Sequence, residues 1–499
     1  MAQSKHIDKV LDRHSDETIA NNCLRLKTFI NAIRWLAFQA CAIRGDDESP
    51  GSLNRKTFIE LIKLLASCNQ NVNNVLENAP ENAQYISPGV QKDILHIFAR
   101  KVRAIIREEI GDSKFCIIID EARDESKREQ MSMVLRFVDK HGCVQERFFD
   151  LINVSDTYSL TLKTEISSVL FRHNLDVQNL RGQGYDGASN MHGEWNGLQA
   201  LFLKDCPFTY YIHCLAHQLQ LALVFAAKEV CYVHQFFSKL TLIVKVVTVS
   251  PKRHDHLRIA QANNVANLIA NDKIYDSLLC MFDATCEVLE KSTEEGNFST
   301  HGDASAAYDA ITSFEFVFVL YLMRNILEFN GRFNDNIVEL LTLSSTLDLK
   351  DNYKFFNVNK VCELVERFYP GDFSDQEKFH IRMQAQHYEL DITNHVELTN
   401  LCTISELCQG LTKTEKSLTY PLIDRLIRLV LTLPVSIAIT ERSFSAMNIV
   451  KNRLRNKMED ELLANCLLIY IEKKIAERFD TDFIIDKFYD TKNQRVPLR

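Results

Sequence analysis

Residues 115–120 read Phe-Cys-Ile-Ile-Ile-Asp. A short, wholly apolar run that ends in an acid is the pattern of a central strand covered on both faces. Working outward, Met131 to Val138 alternates as a second strand, and Val144 to Leu151 makes a third. Gly142–Cys143 falls between them in a turn, so the two strands form a hairpin. Ser159 to Phe171 has helical periodicity, and Asn179 to Tyr185 is a short strand running into Asp186. Gly193 to Leu203 reads as helix, Phe208 to Ile212 as strand, and Cys214 to about Ala227 as a long helix.

The resulting order, β-β-β-α-β-α-β-α, is that of a ribonuclease-H-like fold. Upstream, Leu24, Phe29, Ile33 and Phe38 sit at near-helical spacing. Asn54 has the character of an N-cap for a helix through Leu65. Val90 to Ile110 is a further helix whose Arg100, Lys101, Arg103 and Arg107 read as a solvated face or a basic patch. After Lys228 the chain reads as helical, with loops at Lys291–Ala306 and near Tyr369–Pro370–Gly371.

Composition narrows the function classes. At 499 residues the chain exceeds what one core serves, so two or three domains are expected. Few breakers, 9 Pro and 15 Gly, favour helix. A net charge of −8 excludes a chain-wide basic footprint, and any DNA contact must be local. No apolar run of membrane-spanning length occurs, and MAQSKHIDKVLDRHSDE has no apolar leader segment; an intracellular protein without a membrane partner is expected. Fourteen cysteines occur without a single C-x-x-C pair, so a zinc ribbon or finger is not expected.

Two acids follow strands. In a ribonuclease-H-like sheet the first and fourth strands are neighbours, so Asp120 and Asp186 would converge at the same end of adjacent parallel strands. Close carboxylates repel unless a cation lies between them, and Mg²⁺ or Mn²⁺ suits all-oxygen ligands. A third carboxylate would hold a second ion about 3.5–4 Å from the first. The plainer reading of Asp186 is a helix cap or a turn with Gly187.

Four segments carry a resemblance: FCIIIDEARDESKREQMSMVLRFVD, LRGQGYDGASNMHGEWNGLQ, YYIHCLAHQLQLALV and LTLPVSIAITERSFSAMNIVKNRLRNKMEDELLANCLLIYIEKK. Together they resemble hAT-family transposases, and more closely the group described as zinc finger MYM-type protein 1-like, or TTF-type zinc finger with hAT dimerisation domain. The resemblance runs from about Asn22 to Phe488. It implies that Asp120, Asp186 and Glu441 are the catalytic, metal-holding acids, with a helical insertion filling the 255 residues between the last two. On its residues alone, Glu441 beside Arg442 reads as a surface salt bridge. Cys214 and His217 match the family's C-x-x-H motif, an accessory role; the pair is also half of a zinc site, but no second half is evident.

The resemblance further implies a nuclear protein that contacts DNA and self-associates. Arg442, Lys451, Arg453, Arg455 and Lys457 could track a phosphate backbone or form an exposed helix face. Leu462, Leu463, Leu467 and Tyr470 match the dimerisation region, with core packing accounting for part of that apolar set. The expected division is N-terminal helices over 1–112, the first part of the nuclease core over 113–248, a shortened insertion over 249–380, and a dimerisation region completing the nuclease fold over 381–499. Three departures stand out. No zinc finger precedes the core, the link from Ser313–Met323 to Asn334–Ser345 is short, and neither Trp35 nor Trp195 lies where the family's insertion supplies a stacking Trp. They suggest a truncated or domesticated relative, so a non-catalytic nuclear role through dimerisation and nucleic-acid binding is the main alternative to metal-dependent strand cleavage and transfer.

Overall fold

The apolar run becomes the middle of a mixed sheet. The strands are β1 (Phe115–Arg123), β2 (Glu129–Val138), β3 (Val144–Asn153), β4 (Leu180–Tyr185) and β5 (Tyr210–His213), in the order β3-β2-β1-β4-β5. β1 pairs antiparallel with β2 and parallel with β4, with Ile118 opposite Gly184. Phe115 to Ile119 are all buried, as a strand covered on both faces requires. The hairpin turn needs glycine twice over. Gly142 has φ +77°, and a Cβ there would lie 2.6 Å from the Cys408 carbonyl oxygen.

The computed structural model describes the chain except residues 1, 44–56, 80–84, 186–188, 194–195, 214–230, 249–276, 296–297, 321–334, 348–355, 393–394, 396, 399–400, 402, 435–437, 452–457 and 492–499. The N-cap Asn54, Asp186, Trp195, Cys214, His217, Arg453, Arg455 and Lys457 therefore lie outside the described residues, as does the helix expected from Cys214 to Ala227.

Helices α1 (Ala2–Phe38), α2 (Thr57–Cys68), α3 (Gln70–Glu77) and α4 (Pro88–Ile110) precede the sheet, and α5 (Ser159–Arg172) and α6 (Leu198–Asp205) lie between its later strands. In α4, Ser87 caps the N-terminus through the Val90 amide and Pro88 opens the first turn. Its basic residues do not form one solvated face. Arg103 is buried and donates to the Phe149 carbonyl, Asn465 Oδ1 and Asp150 Oδ1, while Lys101 lies over the Phe483 ring. A buried guanidinium needs every donor answered, and β3 and a distant helix answer it.

The chain forms two compact units, Leu215–Arg332 and the rest. The smaller holds α7 (Cys231–Thr248), α8 (Ser277–Glu295) and α9 (Phe298–Thr312) around Val233, Phe236, Leu289 and Phe316. The expected insertion, 249–380, overlaps this unit over 249–332. Helices α10 (Asp335–Ser344) and α11 (Val358–Phe368) belong to the larger unit because Val361, Leu364, Val365 and Phe368 share a core with Val138 of β2 and Ile212 of β5. Asp372 completes that attachment with a two-pronged ion pair to Arg181 on β4, at 2.6 Å on both prongs.

The larger unit continues with α12 (Asp375–Ile392), α13 (Ile404–Lys413), the single turn α14 (Lys416–Thr419), α15 (Pro421–Thr432), α16 (Ala438–Val450), α17 (Asp460–Ile471) and α18 (Thr481–Thr491). Helices α16 and α17 pack on β2 and β3, so the last part of the chain covers a sheet begun some 300 residues earlier. Among the described residues no helix is long and apolar enough to cross a membrane.

Candidate active site

Asp120 lies near the C-terminal end of β1, half-buried. Its Oδ1 accepts from the Glu121 amide at 3.0 Å, and its Oδ2 accepts from the Thr440 hydroxyl at 3.4 Å. Thr440 is buried on α16, and the next residue is Glu441, whose side chain is exposed. The helix that carries the third expected acid therefore touches the first. β4, the parallel neighbour of β1, ends at Tyr185, one residue before Asp186.

Four contacts set the register of α16 against the sheet. The strand sequence Leu180-Arg-Gly-Gln-Gly-Tyr185 carries glycines where the chain leading into α16 crosses it. A Cβ on Gly182 would meet Pro434 Cδ at 2.8 Å and Cys116 Sγ at 2.3 Å; one on Gly184 would meet Pro434 Cβ at 3.0 Å. Any larger residue would lift Pro434 off the strand. Next comes the Thr440–Asp120 bond. One helical turn further, Ser443 Oγ lies 2.6 Å from Ser132 Oγ of β2. Just past the end of α16, Lys451 Nζ donates to Asp124 Oδ2 at 2.6 Å, with both side chains wholly buried.

The last contact corrects an expectation. Lys451 was read as a candidate phosphate contact, yet it is 1% exposed and committed to Asp124. Asp124 also accepts from the Ser126 and Arg128 amides and from Gln130 Nε2. Burial works to raise its carboxyl, but the Lys451 ammonium, the Arg128 amide and Gln130 overcome it and hold it below the usual range. A wholly buried ammonium paired with Asp124 is out of reach of a DNA backbone. Arg442 of the same basic set is exposed on α16.

The expected dimerisation residues lie in or against the chain's own core. Leu463 and Leu467 are fully buried in the core formed by α1, α4, β3 and α16 within this chain. Leu462 and Tyr470 are partly buried against the same core. The dense apolar character of α17 is explained by packing on several sides at once.

Sequence reasoning missed Gly182, Gly184, Ser132, Ser443 and the Asp124–Lys451 pair. The glycines carried a signal, two small residues in an otherwise strand-like run. The pair carried none, because its members are 327 residues apart. Among the described residues no three His, Cys, Asp or Glu side chains are grouped closely enough to hold a metal ion. Two of the three expected acids, Asp120 and Glu441, are described, and the donor set they begin is all oxygen, which fits Mg²⁺ or Mn²⁺ rather than a softer metal.

Comparison with known families agrees with this architecture. Residues 1–197 match the ZMYM1/FAM200, RNase-like domain, and residues 408–475 match the hAT family C-terminal dimerisation region. The chain carries an RNase-like domain of the ZMYM1/FAM200 kind and a hAT C-terminal dimerisation region, consistent with a hAT-family transposase-like protein. Its curated relatives are distant. The mouse protein called 52 kDa repressor of the inhibitor of the protein kinase is 24% identical over 277 residues, covering 51% of this chain and 36% of the relative. The human protein of the same name is 22% identical over 281 residues, covering 52% and 37%. The aligned part thus spans little more than a third of each relative. The two matched segments are the ones that meet at the site: β1 and β4 come from the first, α16 from the second. The dimerisation region supports self-association.

Proposed function

We propose that the chain is a transposase-derived protein whose ribonuclease-H-like core cuts and transfers DNA strands with Asp120, Asp186 and Glu441 as the metal-holding acids. The observation that carries this reading is the Thr440–Asp120 hydrogen bond, which joins the helix of Glu441 to the end of β1, beside the strand that leads to Asp186. When bound, a pair of Mg²⁺ or Mn²⁺ ions would activate the attacking water or 3′-hydroxyl and stabilise the leaving oxygen. The protein's own part is positional. Asp120 is held by the Glu121 amide and the Thr440 hydroxyl, and Glu441 is held in register by Pro434, Ser443 and Lys451. Exposed Arg442, with Arg453, Arg455 and Lys457, would meet the DNA backbone, and Cys214 and His217 would serve beside the scissile phosphate. Such a substrate puts the protein in the nucleus.

The test is cleavage of branched or hairpin DNA with Mn²⁺. Asp120→Asn, Asp186→Asn and Glu441→Gln should each reduce cleavage by about 100-fold or more, since each removes a ligand charge from the metal pair. Cleavage that survives all three substitutions rejects the reading. A second reading, a non-catalytic protein acting through self-association and nucleic-acid binding, is favoured by the relatives' name, which describes a repressor. It expects DNA binding that persists unchanged in Asp120→Asn.

A further inference from the structure

Helix α16 has two faces. Ser443, Ala446, Met447 and Val450 are buried where the helix packs on the sheet, whereas Glu441, Arg442, Ser445, Asn448 and Ile449 are exposed. On a helix of 3.6 residues per turn the exposed five fall within about 120°. They form one stripe, which begins at the expected third acid and runs about 10 Å along the axis to Asn448. Beyond Glu441 the stripe holds no acid, and neither does the chain from Arg442 to Lys457. The Ser445 hydroxyl donates to the Glu441 carbonyl at 3.1 Å. Among the described residues Arg442 makes no ion pair and the Asn448 amide makes no hydrogen bond. Beside that amide, Ile449 is 51% exposed. The fold makes no use of the Asn448 side chain, yet it fixes where that side chain stands. Pro434, Thr440, Ser443 and Lys451 pin the helix against the sheet that carries Asp120.

The major groove of duplex DNA admits an α-helix. There an asparagine amide matches the N6 and N7 edge of adenine, and an apolar side chain packs on the thymine methyl. Asn448 and Ile449 present these two groups side by side. We infer that the exposed face of α16 reads duplex DNA beside the cut, with Asn448 as a specificity-determining residue. Asn448 and Ile449 select an A·T pair about three base pairs from the cut, the number that 10 Å spans at about 3.4 Å per pair. Arg442, next to Glu441, meets a phosphate and carries no base preference. The inference rests on DNA being the substrate of the Asp120 site, and adds which element reads its sequence and what it selects.

The experiment measures binding of the full chain carrying Asp120→Asn to hairpin DNA in which the base pairs beside the junction are varied in turn. Cleavage of the same set by the wild type with Mn²⁺ runs alongside. One position should favour A·T by about 10-fold over the other pairs. Asn448→Ala should erase that preference at an unchanged melting temperature, because the side chain it removes is exposed. Uracil in place of the thymine of that pair removes one methyl. It should weaken binding by about 4-fold, but not in Ile449→Ala. Arg442→Ala should lower binding to every sequence alike. Binding without base preference, a preference that survives Asn448→Ala, or an equal loss on all sequences in Asn448→Ala would each overturn the inference. A preference that depends on Asn448 without any cleavage by the wild type rejects the cleavage reading and upholds this one. A chain that binds no DNA rejects both.

Discussion

Helices α17 and α12 exchange the roles that their sequences advertise. Helix α17 reads as a surface made for a partner, with Leu462, Leu463, Cys466, Leu467 and Ile469 crowded into about two turns. It is buried among α1, α4, β3 and α16. Helix α12, whose sequence is dominated by charged and polar residues, leaves Phe379, Met383 and Leu390 in solvent. Apolar density reports how many sides of a helix are covered, whereas exposed apolar residues on an otherwise polar helix need no partner to account for them.

The sharpest way to break that comparison is at the charged anchor where α16 meets α17. Lys451 Nζ bonds Asp124 and lies 4.0 Å from Asp460, the first residue of α17. Lys451→Met leaves a buried carboxylate without its counter-charge and should cost about 3–5 kcal/mol. The double variant Lys451→Met with Asp124→Asn should recover most of that loss, which chemical denaturation of the four combinations would show. If the single variant melts like the wild type, the anchor is not what holds α17 down.

Next in size is the core itself. Leu467→Ala should destabilise by about 2–5 kcal/mol while leaving the association state of the folded protein unchanged. Weaker self-association at unchanged stability would return α17 to the role its sequence suggests.

A smaller effect is expected from Glu472, which ends α17 and accepts from the Phe148 amide. Burial pushes its carboxyl up to about 6, against the pull of Arg147. A carboxyl raised in the folded state holds a proton that the unfolded chain releases, so its contribution is fully present below about pH 4.5 and lost as pH rises through 6. Glu472→Gln removes that dependence. The stability of the variant relative to wild type should rise by about 2 kcal/mol between pH 4.5 and pH 7. A flat difference would mean that Glu472 stays charged, held by Arg147 and the Phe148 amide. The smallest effect belongs to α12, where Phe379→Ser should change monomer stability by less than about 0.5 kcal/mol.

Much of this fold was legible because its signals are local. The apolar run at 115–119, the alternation of 131–138 and the turn at Gly142 each specify a strand or a hairpin within a few residues, and the parallel pairing of β1 with β4 follows from their order. What stayed hidden depends on distant partners. Arg103 and Lys451 look like any solvated base until Asp150 and Asp124 are brought to them. Gly182 and Gly184 look like weak points in a strand until Pro434 crosses above. Helical periodicity continues across the end of the smaller unit, and only the shared core of Val361, Phe368 and Ile212 assigns α11 to the larger one. Asp120 is legible by its place near a strand end and Glu441 only by resemblance; Thr440, which bonds Asp120 and precedes Glu441, carries no signal of its own.

The cover of the sheet by α16 and α17 has a consequence for biosynthesis. A ribosome delivers β1 to β3 long before it delivers residues 438–471, and the intervening chain takes tens of seconds at about 5–20 residues per second. During that interval Phe148, Phe149 and their neighbours have no lid, so the nascent sheet is a client for chaperones. A chain stopped after the smaller unit, at Arg332, would carry every strand of the sheet and still lack its cover.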